Sequence, residues 1–460
     1  MSALWPVLDL VKATGGVPNG EWCAWRVEID SRKVQPGDLF VAIKGERVDG
    51  HDYVQQAFAA GAIAAVVEKK LAIGGNQLVV ADTFRALDDL AKYNRARSKA
   101  KIIGVTGSVG KTSTKEMLRL ALSVHGKTYA TSGNYNNHIG TPLNLANLPL
   151  DSEYGVFEMG MNHAGEILHL TKMVRPNIAL ISNVEAVHME FFASIDEIAK
   201  AKGEIFEGLE NGGVAIINAD QPYFLNFRSS AITFGADAKA DCRLLSYKPT
   251  ISGCEVSANI KGEKIDYIIA ATGRHWALIS LSVLAAVHAL GLDVAKSAAA
   301  LANFSEVEGR GRVVQITAKN GTALLINDSY NASPASMRAA FAKTNEVWQA
   351  QGKKGRKIAL LGDMLELGEQ SPEIHAGLAS DLQAQGFDKI YSAGKLMQNL
   401  HDELPADMRG AHVPDAASLG AIVNDVFAKD DVILIKGSHG SKMYVLANDL
   451  IEKGRFKDAI

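Results

Sequence analysis

Cysteine is scarce in this chain. Only Cys23, Cys242 and Cys254 occur in 460 residues, and no two share a CxxC spacing. That excludes a disulfide-stapled scaffold and a cysteine-bound metal cluster, and it predicts buried free thiols in a reducing compartment. Charge of one sign is equally lacking. With 48 Lys and Arg against 51 Asp and Glu, the formal net charge of −3 gives no electrostatic basis for nucleic-acid binding. No apolar run reaches the roughly 20 residues that span a bilayer. The most apolar stretch, ALISLSVLAAVHALGL (Ala277–Leu292), carries serines and a histidine and reads as a buried helix. The opening MSALWPVLDLVKATGG has neither the basic start nor the long apolar core of a signal peptide, so a cytoplasmic protein is expected. Tandem repeats and low-complexity segments are absent as well.

What is present divides into three. A chain of 460 residues exceeds one core and suggests about three domains. Residues 1–97 alternate short strands with turns: Pro36-Gly37-Asp38 precedes the apolar Leu39–Ile43, then come a helical YVQQAFAAGA and the strand AAVVE. The basic KYNRARSKAK (Lys92–Lys101) reads as a solvated boundary. Residues 98–312 alternate strands (102–106, 127–131, 155–158, 178–184, 214–218) with helical patterns (111–124, 165–174, 194–209), the signature of a mostly parallel sheet covered by helices. Residues 313–460 restart the alternation, with LLIND, KIALLGD, KIYSAG and DVILIKGS as strands and helical patterns at 334–348, 372–385 and 417–428. The expected fold is α/β in three domains: a small N-terminal module, a central P-loop domain and a C-terminal Rossmann-like domain. Sites in such sheets gather at the C-terminal strand ends, where Asp328, Asp363 and Lys436 fall.

The sharpest motif is TGSVGKTS: Thr106, Gly107, Ser108, Val109, Gly110, Lys111, Thr112 and Ser113. It departs from the common G-x-x-x-x-G-K-[ST] spacing, which needs glycine at 105, where Val105 stands. Its context nevertheless suits a phosphate loop, since KIIGV is a short apolar strand and KTSTKEMLRL opens a helix. Turn and helix N–H groups there face an anion, Lys111 reaches the β- and γ-phosphates, and the Thr112 hydroxyl suits Mg²⁺. Lys202 is the second signal. In SIDEIAKAKGEIFEGL it falls on the stripe Ile195, Ile198, Ile205, Phe206 and Leu209, and lysine seldom occupies a buried face without a partner.

The shorter form T-G-x-x-G-K-T/S resembles the ATP-binding loop of the Mur ligases. The resemblance extends along the chain through DSRKVQPGDLFVAIKGERVDGHDY, SGNYNNHIGTPLNL, VFEMGMNHAGEI, ISNVEAVHMEFF and AKGEIFEGL. INDSYNASPASM, LGDMLELGE and IKGSHGSKM are similar to the third domain of the member that adds D-alanyl-D-alanine. The resemblance implies an ATP-dependent ligase joining D-alanyl-D-alanine to UDP-N-acetylmuramoyl-tripeptide through an acyl phosphate, in peptidoglycan precursor synthesis, with residues 1–97 binding the uridine nucleotide. It implies two Mg²⁺ sites held by Thr112, Glu158, His188 and a carbamylated Lys202; Lys111, Glu158, His188 and Lys202 make the catalytic set. His275, Arg310 and Asp328 join the loop in binding ATP, Asp328 at the ribose. Ser31, Arg32, Asn134, Asn137, Thr141, Asn331 and Lys436 are the expected substrate contacts; Asn331 and Ser333 are also candidates to cap a helix beginning near Pro334. A monomer is expected.

One departure from the family pattern stands out: Ile279 occupies the position that usually carries an asparagine toward the base, so another group, such as Asn303, must serve adenine. Two other functions compete. The preceding ligase of the series adds a single diamino acid, but its DNPR-type motif is absent and NDSYNASP replaces its D-D-Y-A-H-T-P strand end. A non-ligating P-loop NTPase would bind nucleotide without needing the acidic and basic groups at 158, 188 and 202. Folylpolyglutamate synthesis fits the N-terminal module poorly.

Overall fold

The structure, a computed structural model, describes residues 3–45, 48–133, 135–186, 189–223, 231–423 and 426–454. Cα proximity divides the chain into two compact units. One comprises Met1–Thr106, Leu122–Ile181 and Ala201–Ala215; the other comprises Gly107–Ala121, Ser182–Lys200 and Ile216–Ile460.

The first unit begins with a five-stranded sheet in the order Val17–Pro18, Asn76–Val79, Ala64–Val67, Leu39–Val41, Val27–Glu28. All neighbours are parallel except the Val17–Pro18 edge. The helix Thr83–Arg97 follows, capped by the Asp82 carboxylate, which accepts from Arg85 N at 2.8 Å. Its last turn corrects the expected solvated boundary, because Asn94 and Arg95 are buried. The Asn94 amide donates to the carbonyls of Leu145, Ala146 and Leu148 at 2.7, 3.3 and 2.9 Å, where the helix Gly140–Ala146 ends. The Arg95 guanidinium donates to the carbonyls of Val174 and Arg175, each at 2.7 Å, at the end of the helix Glu166–Val174. Both side chains add donors to carbonyls at or just past a helix C-terminus, and the Arg95 cation opposes the negative pole of the dipole. Polarity had suggested water; the helix ends are the partners instead.

Beyond this docking lie four parallel strands, with Tyr154–Glu158 between Thr128–Ala130 and Lys101–Thr106, and Ile178–Ile181 outside the latter. Tyr154–Glu158 and Ile178–Ile181 are buried at every residue, as parallel strands covered on both faces must be. Their C-terminal ends carry Thr106 and Glu158 to one edge.

In the second unit the helix Lys111–Ser123 begins directly after the glycine loop. The strands Cys242–Thr250, Gly253–Ile260 and Glu263–Ile269 form an antiparallel meander that the sequence reading did not resolve. The C-terminal sheet runs Arg312–Ala318, Gly321–Asp328, Val432–Lys436, Lys357–Gly362, Lys389–Ala393, Arg409–Val413, parallel but for its first strand. Alternate residues feed opposite cores: Leu361 and Leu434 meet Met337, Phe341 and Leu382, whereas Leu360 and Ile433 meet Leu419, Met443 and Leu446. This is the doubly wound arrangement expected. Of the cysteines, Cys242 and Cys254 are buried but Cys23 is exposed, contrary to expectation. Among the described residues no helix is long and apolar enough to cross a membrane.

Candidate active site

The glycine loop is held from one side by the segment that follows Ile178–Ile181. Ser108 N donates to Asn183 O at 3.0 Å, Val109 N to Asn183 Oδ1 at 2.8 Å, and Ser182 Oγ to Val109 O at 2.8 Å. Those two loop amides therefore face Asn183 and not an anion. The first turn of Lys111–Ser123 follows directly, and its N–H groups lie at the positive end of the helix dipole, where an anion is favoured. Gly107 (φ +152°) and Gly110 (φ +85°) adopt backbone conformations that favour glycine. A Cβ would lie 2.0 Å from Ser182 Oγ at Gly107 and 3.2 Å from Ile279 Cδ1 at Gly110. The Lys111 ammonium folds back over the loop, donating to Gly107 O at 2.7 Å and Ser108 O at 3.3 Å. The Thr106 hydroxyl is buried and donates to Met159 O at 2.8 Å, a structural bond.

Glu158 closes its strand with only 2% exposure, and its Oε1 accepts from Asn136 Nδ2 at 2.8 Å. Lys202 is likewise 2% exposed, in the helix Ile195–Gly203. Its face was legible from the stripe, and burial argues against a stem that merely reaches out to water. His188 and Asn134 lie outside the described residues.

At the C-terminal strand ends, Asp328 and Lys436 stand in register, and the Lys436 ammonium donates to Asp328 Oδ2 at 2.6 Å and Asn331 O at 2.9 Å. Burial lowers the Lys436 pKa against the pull of Asp328, and Arg310 adds to the lowering. Arg310 lies over the Tyr330 ring, 4.1 Å from its centroid. His275, its ring tilted at 42° to that of Trp276 with centroids 4.7 Å apart, is pushed down to about 3 by desolvation, with the ammonium groups of Lys343 and Lys436 opposing its protonation. Ser333, not Asn331, caps Pro334–Ala350: Ser336 N donates to its Oγ at 3.4 Å, and Ser333 N donates to Ser336 Oγ at 2.9 Å. Asn331 is exposed, its side-chain oxygen bonded to Ala332 N.

In the first unit a cleft of about 1130 Å³ is lined on one wall by Trp25, Arg26, Glu28 and residues 32–35 and on the other by Lys127, Tyr129, Tyr135, Asn144 and Asn147. Four cations line it: Arg26, Arg32, Lys33 and Lys127. Arg26 is braced by Asp38 at 2.6 Å, Lys33 Nζ reaches Tyr135 Oη at 2.6 Å, and Lys127 pairs with Asp151. Arg32 is exposed and bound at 2.8 Å to Asp30. Ser31 turns inward to Gln56, and Asn137 bonds the amides of Ile139 and Gly140 at the start of a helix, the Asx role open to one of these asparagines. Thr141 is fully buried.

Three family models match successive segments: "Mur ligase family, catalytic domain" over residues 26–101, "Mur ligase middle domain" over 105–287, and "Mur ligase, glutamate ligase domain" over 309–439. The chain belongs to the Mur ligase family. Its similar relatives include the UDP-N-acetylmuramoyl-tripeptide--D-alanyl-D-alanine ligases of Rickettsia prowazekii and Escherichia coli. The first is 38% identical, covering 91% of this chain and 93% of the relative; the second is 37% identical, covering 93% and 94%. MurF of Acinetobacter baumannii superposes with TM-score 0.85 at 32% identity, covering 98% of this chain and 99% of that one. MurF of Thermotoga maritima, in complex with ADP, does so with TM-score 0.78 at 28% identity, covering 93% and 97%.

The residues fit what a Mur ligase loop must hold. Glycines at 107 and 110 leave a cradle that a Cβ would crowd, and Lys111 already covers the carbonyl side of that loop. Glu158 supplies a hard carboxylate oxygen; among the described residues no three His, Cys, Asp or Glu side chains form a preassembled cage. That donor set suits Mg²⁺, which takes one or two carboxylates and completes its shell from phosphates and water. Residues that the sequence reading of this Mur ligase missed are mostly asparagines. Asn183 anchors the loop, Asn136 orients Glu158, and Asn144 and Asn147 line the cleft, the last pairing with both Val27 N and O at 2.8 Å. The density of asparagine in SGNYNNHIGTPLNLANL signalled the last three, and only its place after a strand signalled Asn183.

Proposed function

We propose that this chain joins D-alanyl-D-alanine to UDP-N-acetylmuramoyl-tripeptide at the expense of ATP, in peptidoglycan precursor synthesis. The observation that carries the reading is near end-to-end identity, 38% over 91% of the chain, with a ligase of that name. The peptide carboxylate attacks the γ-phosphorus and ADP leaves; the amine of D-alanyl-D-alanine then attacks the acyl phosphate, and phosphate departs as the amide forms. Positioning and charge neutralisation meet most of the demand of such chemistry. Lys111 leaves its loop carbonyls for the transferred phosphoryl group, and the first turn of Lys111–Ser123 donates to the phosphates. Arg310 and His275 attend the nucleotide, Asp328 the ribose, and Asn331 and Lys436 the incoming dipeptide. Asn134, Asn137, Thr141, Ser31 and Arg32 serve the uridine-linked substrate, for which the cation-lined cleft gives room.

Thr112, Glu158, His188 and a carbamylated Lys202 are the groups for two Mg²⁺ sites. The metal, when bound, neutralises charge on the phosphates and the reacting carboxylate. Burial of Lys202 supports a role inside the site over a stem reaching out to water. Labelling with ¹³C-bicarbonate should give a carbamate resonance that Lys202→Arg removes; an unchanged spectrum ends the carbamate. Domain limits at 1–97, 98–312 and 313–460, supported by the three matched segments, a monomeric state and a cytoplasmic site complete the reading.

The test is direct. The protein is incubated with ATP, Mg²⁺, the UDP-linked tripeptide and D-alanyl-D-alanine, and the product mass is read. A pentapeptide product with one ADP per amide is expected. ADP without amide would point to a plain NTPase, and product from a single diamino acid to the neighbouring ligase.

A further inference from the structure

The segment EVEGRGR, Glu306–Arg312, straddles the start of the residues matched by the third family model, at 309, and carries Arg310. Beneath it, from the helix Pro334–Ala350, comes Lys343, a lysine with 2% exposure. Its ammonium donates to Glu306 Oε1 at 2.5 Å and to the Gly311 carbonyl at 2.6 Å. The two acceptors bracket Arg310 along the chain. The same segment is stitched to the strand end, with Gly311 N donating to Asn327 O at 2.8 Å and Tyr330 N to Gly309 O at 3.0 Å. Gly309 (φ +72°) and Gly311 (φ +97°) flank the arginine in left-handed conformations. A Cβ would stand 3.1 Å from Tyr330 Cβ at Gly309 and 3.1 Å from Lys343 Nζ at Gly311, so the loop is pressed against both.

We propose that Lys343 is a positioning residue that fixes Arg310 over Tyr330 by holding Glu306 and the Gly311 carbonyl on either side of it. A charge of this kind is a costly way to bolt a helix to a loop, because an apolar pair of similar volume packs as well without desolvating two ions. What the ion pair adds is a defined geometry at both ends of a short glycine-hinged segment, and with it one direction for the guanidinium between them. The inference rests on the reading of Arg310 as a cation of the ATP site.

Removing Lys343 alone would strand the Glu306 carboxylate, so the variant is the neutral pair Lys343→Met with Glu306→Gln. Steady-state kcat and KM for ATP are measured for the wild type, Arg310→Ala, the neutral pair and all three changes together, each checked by thermal melting. Arg310→Ala is expected to lower kcat/KM for ATP about 100-fold. The neutral pair should lower it about 10- to 100-fold at near-unchanged Tm, as small misplacements at a reacting site do. The triple variant should match Arg310→Ala alone, because a positioning residue has nothing left to position. Wild-type kinetics in the neutral pair, or a loss that multiplies in full with that of Arg310→Ala, would overturn the proposal. Wild-type turnover by Arg310→Ala would instead remove the reading of Arg310 itself, an outcome visible without any change at Lys343. If the neutral pair does not fold, Lys343→Arg replaces it. Its planar guanidinium does not reproduce the two short bonds that the ammonium makes to Glu306 and the Gly311 carbonyl, so wild-type kcat/KM for ATP in a folded Lys343→Arg overturns the proposal equally.

Discussion

Lys111 in the structure donates to the carbonyls of the very loop that precedes it, 2.7 Å from Gly107 O. Those bonds are replaceable by phosphate oxygens, whereas the loop's attachment to Asn183 is not. Lys111→Ala should therefore lower ATP turnover by at least about 100-fold while the melting temperature stays within a few degrees of wild type; ADP release with thermal melting measures both. His275 carries a second prediction. Its folded pKa, pushed down to about 3, lies below the ordinary value, so the folded chain binds fewer protons than the unfolded one as pH falls. The stability it contributes is complete above about pH 6.5 and is lost progressively toward pH 3, at up to roughly 1.4 kcal/mol per pH unit, less in proportion to the ring's residual solvent contact. Denaturation midpoints between pH 7 and pH 4 should fall less steeply in His275→Gln; identical slopes would refute the buried neutral imidazole. Little of this was readable beforehand. The motif named Lys111, but nothing in GRHWAL said that two ammonium groups from a later domain would face the histidine.

At the scale of elements, the glycine loop and its helix were legible because strand, turn and amphipathic helix follow one another locally. Gly110 shows how tightly they are built, with φ +85° and Ile279 3.2 Å from the place of a Cβ. Gly110→Ala should cost about 1–2 kcal/mol in stability and raise KM for ATP; chemical denaturation and initial rates check each. The antiparallel meander of Cys242–Ile269 escaped notice because Lys248, Glu255 and Glu263 interrupt its apolar alternation and its pairing is set by neighbours in space. The last turn of Thr83–Arg97 was misread for a related reason. Asn94 and Arg95 look like surface residues until the helix ends that accept their hydrogen bonds are in place. Asn94→Ala should destabilise the fold by about 1–3 kcal/mol, because it removes the donor of the Leu148 carbonyl while Leu145 O keeps Leu148 N and Ala146 O keeps Trp5 Nε1; a smaller loss in urea denaturation would mean that water replaces the amide.

For the whole molecule, three successive α/β segments were visible as restarts in the strand–helix alternation, and the family models match the same succession. The candidate residues are harder to read because they are scattered along the sequence: a glycine loop near residue 110, a carboxylate at 158, a buried lysine at 202 and an ion pair between 328 and 436. Each was marked locally by a strand end or a helix stripe, but the asparagines that orient them were not, since an amide serving a neighbour carries no periodicity of its own. The central claim is that these groups make a carboxylate electrophilic by phosphorylating it before the amine arrives. Tripeptide substrate labelled with ¹⁸O in its reacting carboxylate tests this most directly, through the isotope content of the phosphate released on amide formation. Transfer of one ¹⁸O to phosphate for each amide formed is the predicted result; unlabelled phosphate accompanying amide product would contradict the account.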